Sequence, residues 1–537
     1  MQRYKTVWAP YAIPETGAQF ASKQDIRNQF AKVDAAAFFA DAAGTPILAE
    51  DGQIYLNDLD ESTACVGETG SKKTRCFVMP TIFMDIKAGN SMIITDVKGE
   101  LSSNAFLISE LKKHDYRIVY MNYRTFDGDG YNVFEYALEL YKNGETDIAV
   151  KNIKDFIGGL FAKYTNSTAD PFWQDMGNAF LKSSAEMLMR VEAYNPKAKK
   201  GILNLLSLMT WCNDFELNVI KNLLLRSYSD VHTPAIENLK MVATNPEKTR
   251  ECIMSTSAGA LGDYTDFEGI SRMHSESTFD IREAYEKPMA VFFIVPDETK
   301  SFAAIAGGVL DNMYQQLIDT YTTRYAGKKP QRRIDFICDE FCNFRINDMN
   351  SKISASRSRF MRWFIIVQSL NQLKAVYEKE ADIILANCKN VFYLQSCDAE
   401  LRKYISDLAG NTSISELKGG EPLLPVEALK KLKKDRKYKD AIFLRDSIVF
   451  KTSLPDISVY PGAEKYADDP FCEIPKKKHR AGREYSPSDL VRDIGTEQIE
   501  LPYKERLALS RSEKRRSDDY LDNLLNEFLY GDESNDE

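Results

Sequence analysis

The segment Gly67-Glu68-Thr69-Gly70-Ser71-Lys72-Lys73-Thr74 has the residue types and spacing of a loop that grips phosphate. Its glycines let successive backbone N–H groups turn inward at a helix N-terminus, where they hold phosphate oxygens. In such a loop Lys73 reaches the β and γ phosphates of ATP, and the Thr74 hydroxyl joins the coordination shell of Mg²⁺. Arg75 follows directly and closes the candidate nucleotide-binding set. One position departs from the pattern, which puts glycine before the lysine; here it is Lys72. Its side chain would either crowd the nucleotide or point to solvent. Alone, the segment also reads as a glycine-rich turn with a basic face.

A second constellation supplies acids. Arg333-Ile334-Asp335-Phe336-Ile337-Cys338-Asp339-Glu340 reads as an apolar strand ending in two adjacent carboxylates. Beside a phosphate loop, the first acid, Asp339, supports Mg²⁺ through water, and the second, Glu340, orients and deprotonates the attacking water. Paired acids after a strand also serve as helix N-caps; the loop upstream tips the reading to catalysis. Further on, Ser354-Ala355-Ser356-Arg357-Ser358-Arg359 leads into the strand Phe364–Val367, which ends at Gln368. In a ring of subunits, an arginine from one can stabilise charge on the γ-phosphate of its neighbour. A strand-end glutamine can sense that phosphate. Both arginines also read as surface charges.

The elements that must position these groups are an alternation of short apolar runs with helical patterns: Thr63–Val66, Ser91–Thr95, Arg117–Met121, Ala290–Val295, Ile334–Cys338, Phe364–Val367 and Val391–Leu394. That alternation predicts an α/β fold around a mostly parallel sheet. Between residues 133 and 235 strand runs are scarce, and Phe172, Met176, Ala179, Phe180, Ser183 and Met187 keep helical spacing. This stretch reads as an all-α insert, with Asn166 to Asp170 and Asn195 to Lys200 as loops. The resulting division is an N-terminal segment 1–60, a first α/β part 61–132, the insert 133–235, a second α/β part 236–460 and a charged extension 461–537. In the extension, the basic run Lys476-Lys477-Lys478-His479-Arg480 and the acidic end Asp532 to Glu537 read as solvated tails.

Composition bounds the function. With 537 residues, 44% hydrophobic and 28% charged, the chain has ordinary globular usage and room for about three domains. A net charge of −9 excludes a globally basic nucleic-acid binder, though a ring can gather its cations on one inner face. Nine cysteines without a CxxC pair read as buried reduced thiols, and Cys338 with Cys342 lacks a second ligand pair for zinc. Met1 to Phe20 lacks the pattern of a signal peptide, and no apolar run approaches the about 20 residues that span a bilayer.

Taken together the motifs resemble the TraG/TraD-type coupling proteins of type IV secretion and conjugation, within the FtsK/HerA group of P-loop ATPases. Gly17-Ala18-Gln19-Phe20-Ala21 resembles the segment before the family's motor domain. Ser91-Met92-Ile93-Ile94-Thr95-Asp96-Val97-Lys98-Gly99-Glu100-Leu101 resembles its "SIITDPKGEL" block, with Val97 in place of proline. Phe172-Trp173 resembles the start of a helix in its all-α domain. Cys338-Asp339-Glu340-Phe341-Cys342-Asn343 is similar to "DEF-x-N", and Gln368-Ser369-Leu370-Asn371-Gln372-Leu373, followed by Tyr377, to "QSLxQL…Y".

The resemblance implies a RecA-like motor with an inserted all-α domain, working as a homo-hexamer that hydrolyses ATP with Mg²⁺ and translocates DNA. It carries over Lys73 and Thr74 to the phosphate loop and Asp339 and Glu340 to the acidic pair. Gln368 becomes the sensor and Arg357 the arginine finger, with Arg359 its rival. The implied partners are single-stranded DNA held without regard to sequence, a relaxase, and secretion-channel proteins at the inner membrane. The implied location is the cytoplasm, at the periphery of that membrane. Two other readings stay open: an FtsK/HerA-like translocase for DNA processing or defence, and a catalytically weak scaffold, for which Lys72 is the warrant.

Overall fold

The computed structural model describes residues 18–34, 44–50, 53–161, 170–194, 200–213, 234–298, 302–343, 345–412, 420–446, 448–460, 463, 471–479 and 482–489. The chain divides into two compact units, one of Met1–Asp129 with Phe279–Lys477, the other of Gly130–Thr278 with Lys478–Glu537.

The first unit opens with a small antiparallel sheet of β1 (Ala31–Asp34), β2 (Thr45–Glu50) and β3 (Gln53–Asn57), in the order β1-β3-β2. Its large sheet holds β4 (Thr63–Gly67), β5 (Ser91–Thr95), β6 (Arg117–Asn122), β7 (Met289–Ile294), β8 (Ile334–Cys338), β9 (Met361–Val367), β10 (Asn390–Gln395), β11 (Tyr438–Arg445) and β12 (Ile448–Pro455). Their order is β12-β11-β10-β4-β9-β8-β5-β7-β6. From β10 to β6 every neighbouring pair is parallel; β11 and β12 close one edge antiparallel. Strands β4, β5, β7, β8 and β9 are buried along their whole length, so their sequences read as continuous apolar runs, as in sheets covered on both faces. Edge strand β12 has exposed residues at Lys451 and Ser453.

Aromatic contacts tie the helix after the phosphate loop to the sheet. Phe77 meets Phe392 at 5.1 Å, Phe392 meets Phe443 at 4.8 Å, and Phe443 meets Phe450 at 5.1 Å. Phe336 and Trp363 stack at 4.1 Å between β8 and β9. The same two strands bury an ion pair: Arg362 donates through Nε to Asp335 Oδ1 at 2.9 Å and through Nη2 to Oδ2. Asp85, on the helix Met79–Ala88, lies 3.8 Å from the same guanidinium, and none of the three side chains is more than 1% exposed. Burial and then the Asp335 charge push the Asp85 carboxyl well above its ordinary range, against the pull of Arg362.

The second unit is helical: Glu135–Lys142, Thr146–Phe161, Pro171–Tyr194, Leu205–Asn213, Pro234–Ala243, Glu247–Thr265 and Glu268–Met273. Phe172 and Trp173 lie in the first turn of the longest of these. Gly177 lets that helix approach Glu247–Thr265, since a Cβ there would come within 3.1 Å of Ser257 Oγ. Composition ends the insert at residue 235; by contact the helical unit runs to Thr278, because no strand forms before Met289. The expected loops at 166–170 and 195–200 fall mostly outside the described residues.

The charged extension is less free than its composition implies. Cys472 N donates to Ser103 O at 2.7 Å and Lys477 N to Asp127 O at 2.7 Å. In the helical unit, Trp211 Nε1 donates to Tyr485 O at 2.9 Å, and Asn204 Nδ2 to Arg483 O at 2.9 Å. Backbone groups of the extension are satisfied against folded partners, which charge counting cannot reveal. The acidic end, 532–537, lies outside the described residues.

Candidate nucleotide site

The loop leaves β4 at Gly67, is stitched to β10 by Glu68 N donating to Gln395 O at 2.8 Å, and turns through Ser71 N to Glu68 O at 3.1 Å. Gly70 and Lys72 both adopt left-handed backbone, at φ +78° and +65°. That conformation is why the pattern has glycine at position 72: a Cβ there costs about 1–2 kcal/mol. The Lys72 side chain neither crowds the loop nor floats in solvent. Its Nζ donates to Arg436 O at 2.9 Å and to Asp456 Oδ2 at 3.3 Å, at the end of β12. After Thr74 the chain enters a wide π-type turn, Thr74–Val78, and then the helix Met79–Ala88.

Lys73 is folded back onto the loop, donating to Gly67 O at 2.6 Å and Glu68 O at 3.0 Å. Burial pushes its pKa down. Its two hydrogen-bond partners are neutral carbonyls, while the nearby Asp339 and Glu340 charges act on it in the opposite direction to burial. Thr74 Oγ1 donates to Asp339 Oδ2 at 3.2 Å, and Thr95 Oγ1 holds the Asp339 carbonyl at 2.6 Å. Burial, then the Glu340 charge, push the Asp339 carboxyl up to about 6, against the pull of Lys73 and Thr74.

Sheet order brings Gln368 to this pair. β9 lies between β4 and β8, so the residue after its C-terminal end emerges between the loop and the acids. Gln368 Oε1 accepts from Thr69 Oγ1 at 2.8 Å while its Nε2 donates to Glu340 Oε2 at 2.6 Å. Glu340 itself has left-handed backbone, at φ +55°, and Lys98 Nζ stands 3.9 Å from its Oε1.

Lys73, Thr74, Asp339, Glu340 and Gln368 therefore meet. Arg357 does not join them. It is exposed in the turn before β9, and the seven residues of that strand put it about 20 Å from the loop end of the sheet. Arg359, its rival, is tied locally, donating through Nη1 to Ala355 O at 2.8 Å. Four contributors escape motif reading: Lys98, Thr95, Lys434, whose Nζ donates to Gly70 O at 3.2 Å, and Asp456. Lys98 and Thr95 stand inside a block quoted above for resemblance; Lys434 and Asp456 are distant in sequence and carry no signal.

The donor set fits Mg²⁺. A hydroxyl and a carboxylate, both hard oxygens, face each other across 3.2 Å, and the Glu340 carboxylate next in sequence adds to the local negative charge. Mg²⁺ characteristically takes one or two carboxylates and completes its shell with water and substrate phosphate. Among the described residues there is no cluster of three His, Cys, Asp or Glu that would hold a metal alone.

A phosphate loop on the strand beside a glutamine-ended strand, with a paired-acid strand next to it, defines a P-loop α/β motor fold. The profile of the type IV secretory system conjugative DNA transfer family matches residues 18–422, and the chain belongs to that family. Solved structures agree in fold. The plasmid coupling protein TrwB in complex with the non-hydrolysable ATP analogue ADPNP superposes with a TM-score of 0.56 at 14% identity, over 82% of this chain and 93% of that one. TrwB with ADP and Mg²⁺ gives 0.55 at 14% over the same shares, and the unbound bacterial conjugative coupling protein TrwBdeltaN70 gives 0.55 at 14%, over 82% and 92%. The architecture is a RecA-like α/β motor domain with a helical domain. No curated protein matches the sequence significantly. Among the described residues, no helix is long and apolar enough to cross a membrane.

Proposed function

We propose that this chain is the ATP-driven coupling protein of a conjugative type IV secretion system, a motor that delivers DNA to the secretion channel. The observation that carries this reading is the continuous hydrogen-bonded path Thr69–Gln368–Glu340, with Thr74 facing Asp339 beside it. Loop N–H groups and Lys73 bind the ATP phosphates. Thr74 and Asp339 hold Mg²⁺, which neutralises charge on the phosphates when bound. Glu340 accepts a proton from the attacking water and orients it; Gln368 fixes Glu340 and reports the occupancy of the loop. Arg357 acts on the site of a neighbouring subunit in a homo-hexamer, a reading that its separation from its own loop supports. TrwB, whose fold this chain shares, binds ADPNP and, separately, ADP with Mg²⁺.

The cargo in this reading is single-stranded DNA bearing a relaxase, gripped by its backbone and released by salt. The helical unit and the acidic C-terminal end recognise the cargo, and channel proteins at the inner membrane recruit the ring to the membrane periphery. Lys72, the warrant for a scaffold without turnover, directs its ammonium to Arg436 and Asp456, which supports the hydrolytic reading. The test is ATP hydrolysis with and without single-stranded DNA, in the parent chain and in Lys73→Ala and Glu340→Gln. DNA-stimulated turnover that both substitutions remove is the expected result. Mg²⁺-independent or undetectable turnover in the parent would return the scaffold reading to the front.

A further inference from the structure

Asp456 follows β12 and is fully buried, yet it is ringed by donors. Arg75 holds it with two bonds, Nε to Oδ2 at 2.8 Å and Nη2 to Oδ1 at 2.6 Å. Lys72 Nζ approaches Oδ2 at 3.3 Å, and Ser458 donates to Oδ1 through N at 3.2 Å and Oγ at 2.9 Å. Its own N–H is bound to Lys437 O at 2.7 Å, which fixes the carboxylate to the segment that also supplies the Arg436 carbonyl to Lys72. A buried carboxylate with five donor contacts is a rigid anchor. The two cations it holds flank Lys73 and Thr74 in sequence, the one side occupying a left-handed backbone position where glycine is the rule.

We propose that Asp456 is a positioning residue of the nucleotide site: by anchoring Lys72 and Arg75 it keeps the phosphate loop in its binding-ready turn with Lys73, and not Lys72, facing the phosphates. The proposal rests on the reading that this loop binds ATP. It makes the last strands of the sheet part of the phosphate site, although they contribute no atom to the nucleotide. Without the anchor, Lys72 keeps its unfavourable backbone angle and its loose ammonium competes with Lys73 for the same oxygens.

The experiment is titration of the full chain with a fluorescent ATP analogue, with kcat and melting temperature measured in parallel. Asp456→Asn is expected to weaken nucleotide binding about tenfold while kcat changes less than about threefold. In the Lys72→Gly background, where neither the strain nor the loose ammonium exists and only the Arg75 anchor is left to lose, the same Asp456→Asn substitution is expected to weaken binding less than about threefold. A defect that persists undiminished in that background, or no defect at all, overturns the proposal. Should Asp456→Asn fail to fold, Lys72→Ala, which keeps the backbone strain without the ion pair, is compared with Lys72→Gly. The alanine variant is expected to bind at least about fivefold more weakly; equal binding overturns the proposal. Lys73→Ala separates this from a failure of the function: if the parent binds no better than Lys73→Ala, the nucleotide reading falls, and the anchor with it.

Discussion

Gln368 donates its side-chain amide to Glu340 at 2.6 Å while accepting the Thr69 hydroxyl at 2.8 Å, so a single side chain joins the phosphate loop to the acid. Removing it should uncouple orientation from binding. Gln368→Ala is expected to lower kcat about 10- to 100-fold, less than the roughly 10²–10⁴-fold of losing a general base because Glu340 itself remains, with ATP affinity held within about threefold. Steady-state hydrolysis beside titration of a fluorescent analogue measures the two separately, and a matching loss in both would mean that Gln368 serves binding.

Asp339 sets a pH dependence. Its carboxyl is raised to about 6, so without saturating Mg²⁺ hydrolysis should fall as pH drops through that value, because the protonated acid cannot support the metal. Added Mg²⁺ should move the midpoint lower, since metal binds only the ionised form. Rate profiles at two Mg²⁺ concentrations check this; coincident midpoints would refute it.

The same group bears on stability with the opposite sign from a salt-bridged acid. Folding raises its pKa above the ordinary 3.8, so the folded chain holds the proton more tightly than the unfolded one, and stability declines as pH climbs from about 4 to 6. Asp339→Asn keeps an acceptor for Glu340 N and a partner for Thr74, and removes that penalty. The variant should melt about 1–3 °C higher than the parent at pH 8, show no gain at pH 4, and hydrolyse ATP at least about 100-fold more slowly.

Arg357 is separated from its own loop by the length of β9. If it completes a neighbour's site, Arg357→Ala and Lys73→Ala chains, each inactive alone, should recover turnover when mixed, because some interfaces then pair an intact arginine with an intact loop. A role within one chain predicts no recovery at any mixing ratio.

The buried pair under the site has a distinct signature. Arg362→Met strands Asp335 without its guanidinium and should cost about 3–5 kcal/mol in chemical denaturation of the motor unit. Adding Asp335→Leu should recover most of that loss, because a matched apolar replacement leaves no orphaned charge. If the double variant is no more stable than Arg362→Met, the pair is not the source of the loss.

Much of this architecture was legible because parallel strands buried on both faces announce themselves as apolar runs: Ser91–Thr95 and Ile334–Cys338 are strands with those same limits. The motifs were legible for a physical reason too. Phe341 of the acidic block stacks on Tyr377 of the glutamine block at 4.9 Å with planes 4° apart, so two distant sequence signatures are two halves of one contact. Three features were hidden. The strands β1, β2 and β3 lie in a segment of mixed composition, and β11 and β12 at a sheet edge lose the continuous apolar signal. The helical unit's later helices are only weakly patterned: Glu247–Thr265 buries Ile253, Ser257, Ala260, Leu261 and Tyr264 amid serines, threonines and glycines. Asp456 reaches the site from 384 positions beyond Lys72, a separation no local pattern spans.

The placement of β4 in mid-sheet also sets a timetable for biogenesis. Its two neighbours are β9 and β10, where Thr63 pairs with Phe364 and with Asn390, about 300 residues later. At about 5–20 residues per second, a nascent chain carries this apolar strand unpaired for roughly 15 to 60 s before either neighbour leaves the ribosome. The helices between Gly130 and Thr278 can begin to assemble in that interval; the phosphate loop cannot, since the strand it hangs from has no sheet to join. Products truncated before β10 therefore emerge without an ATP site, and this motor cannot fire before Gln395 has been made.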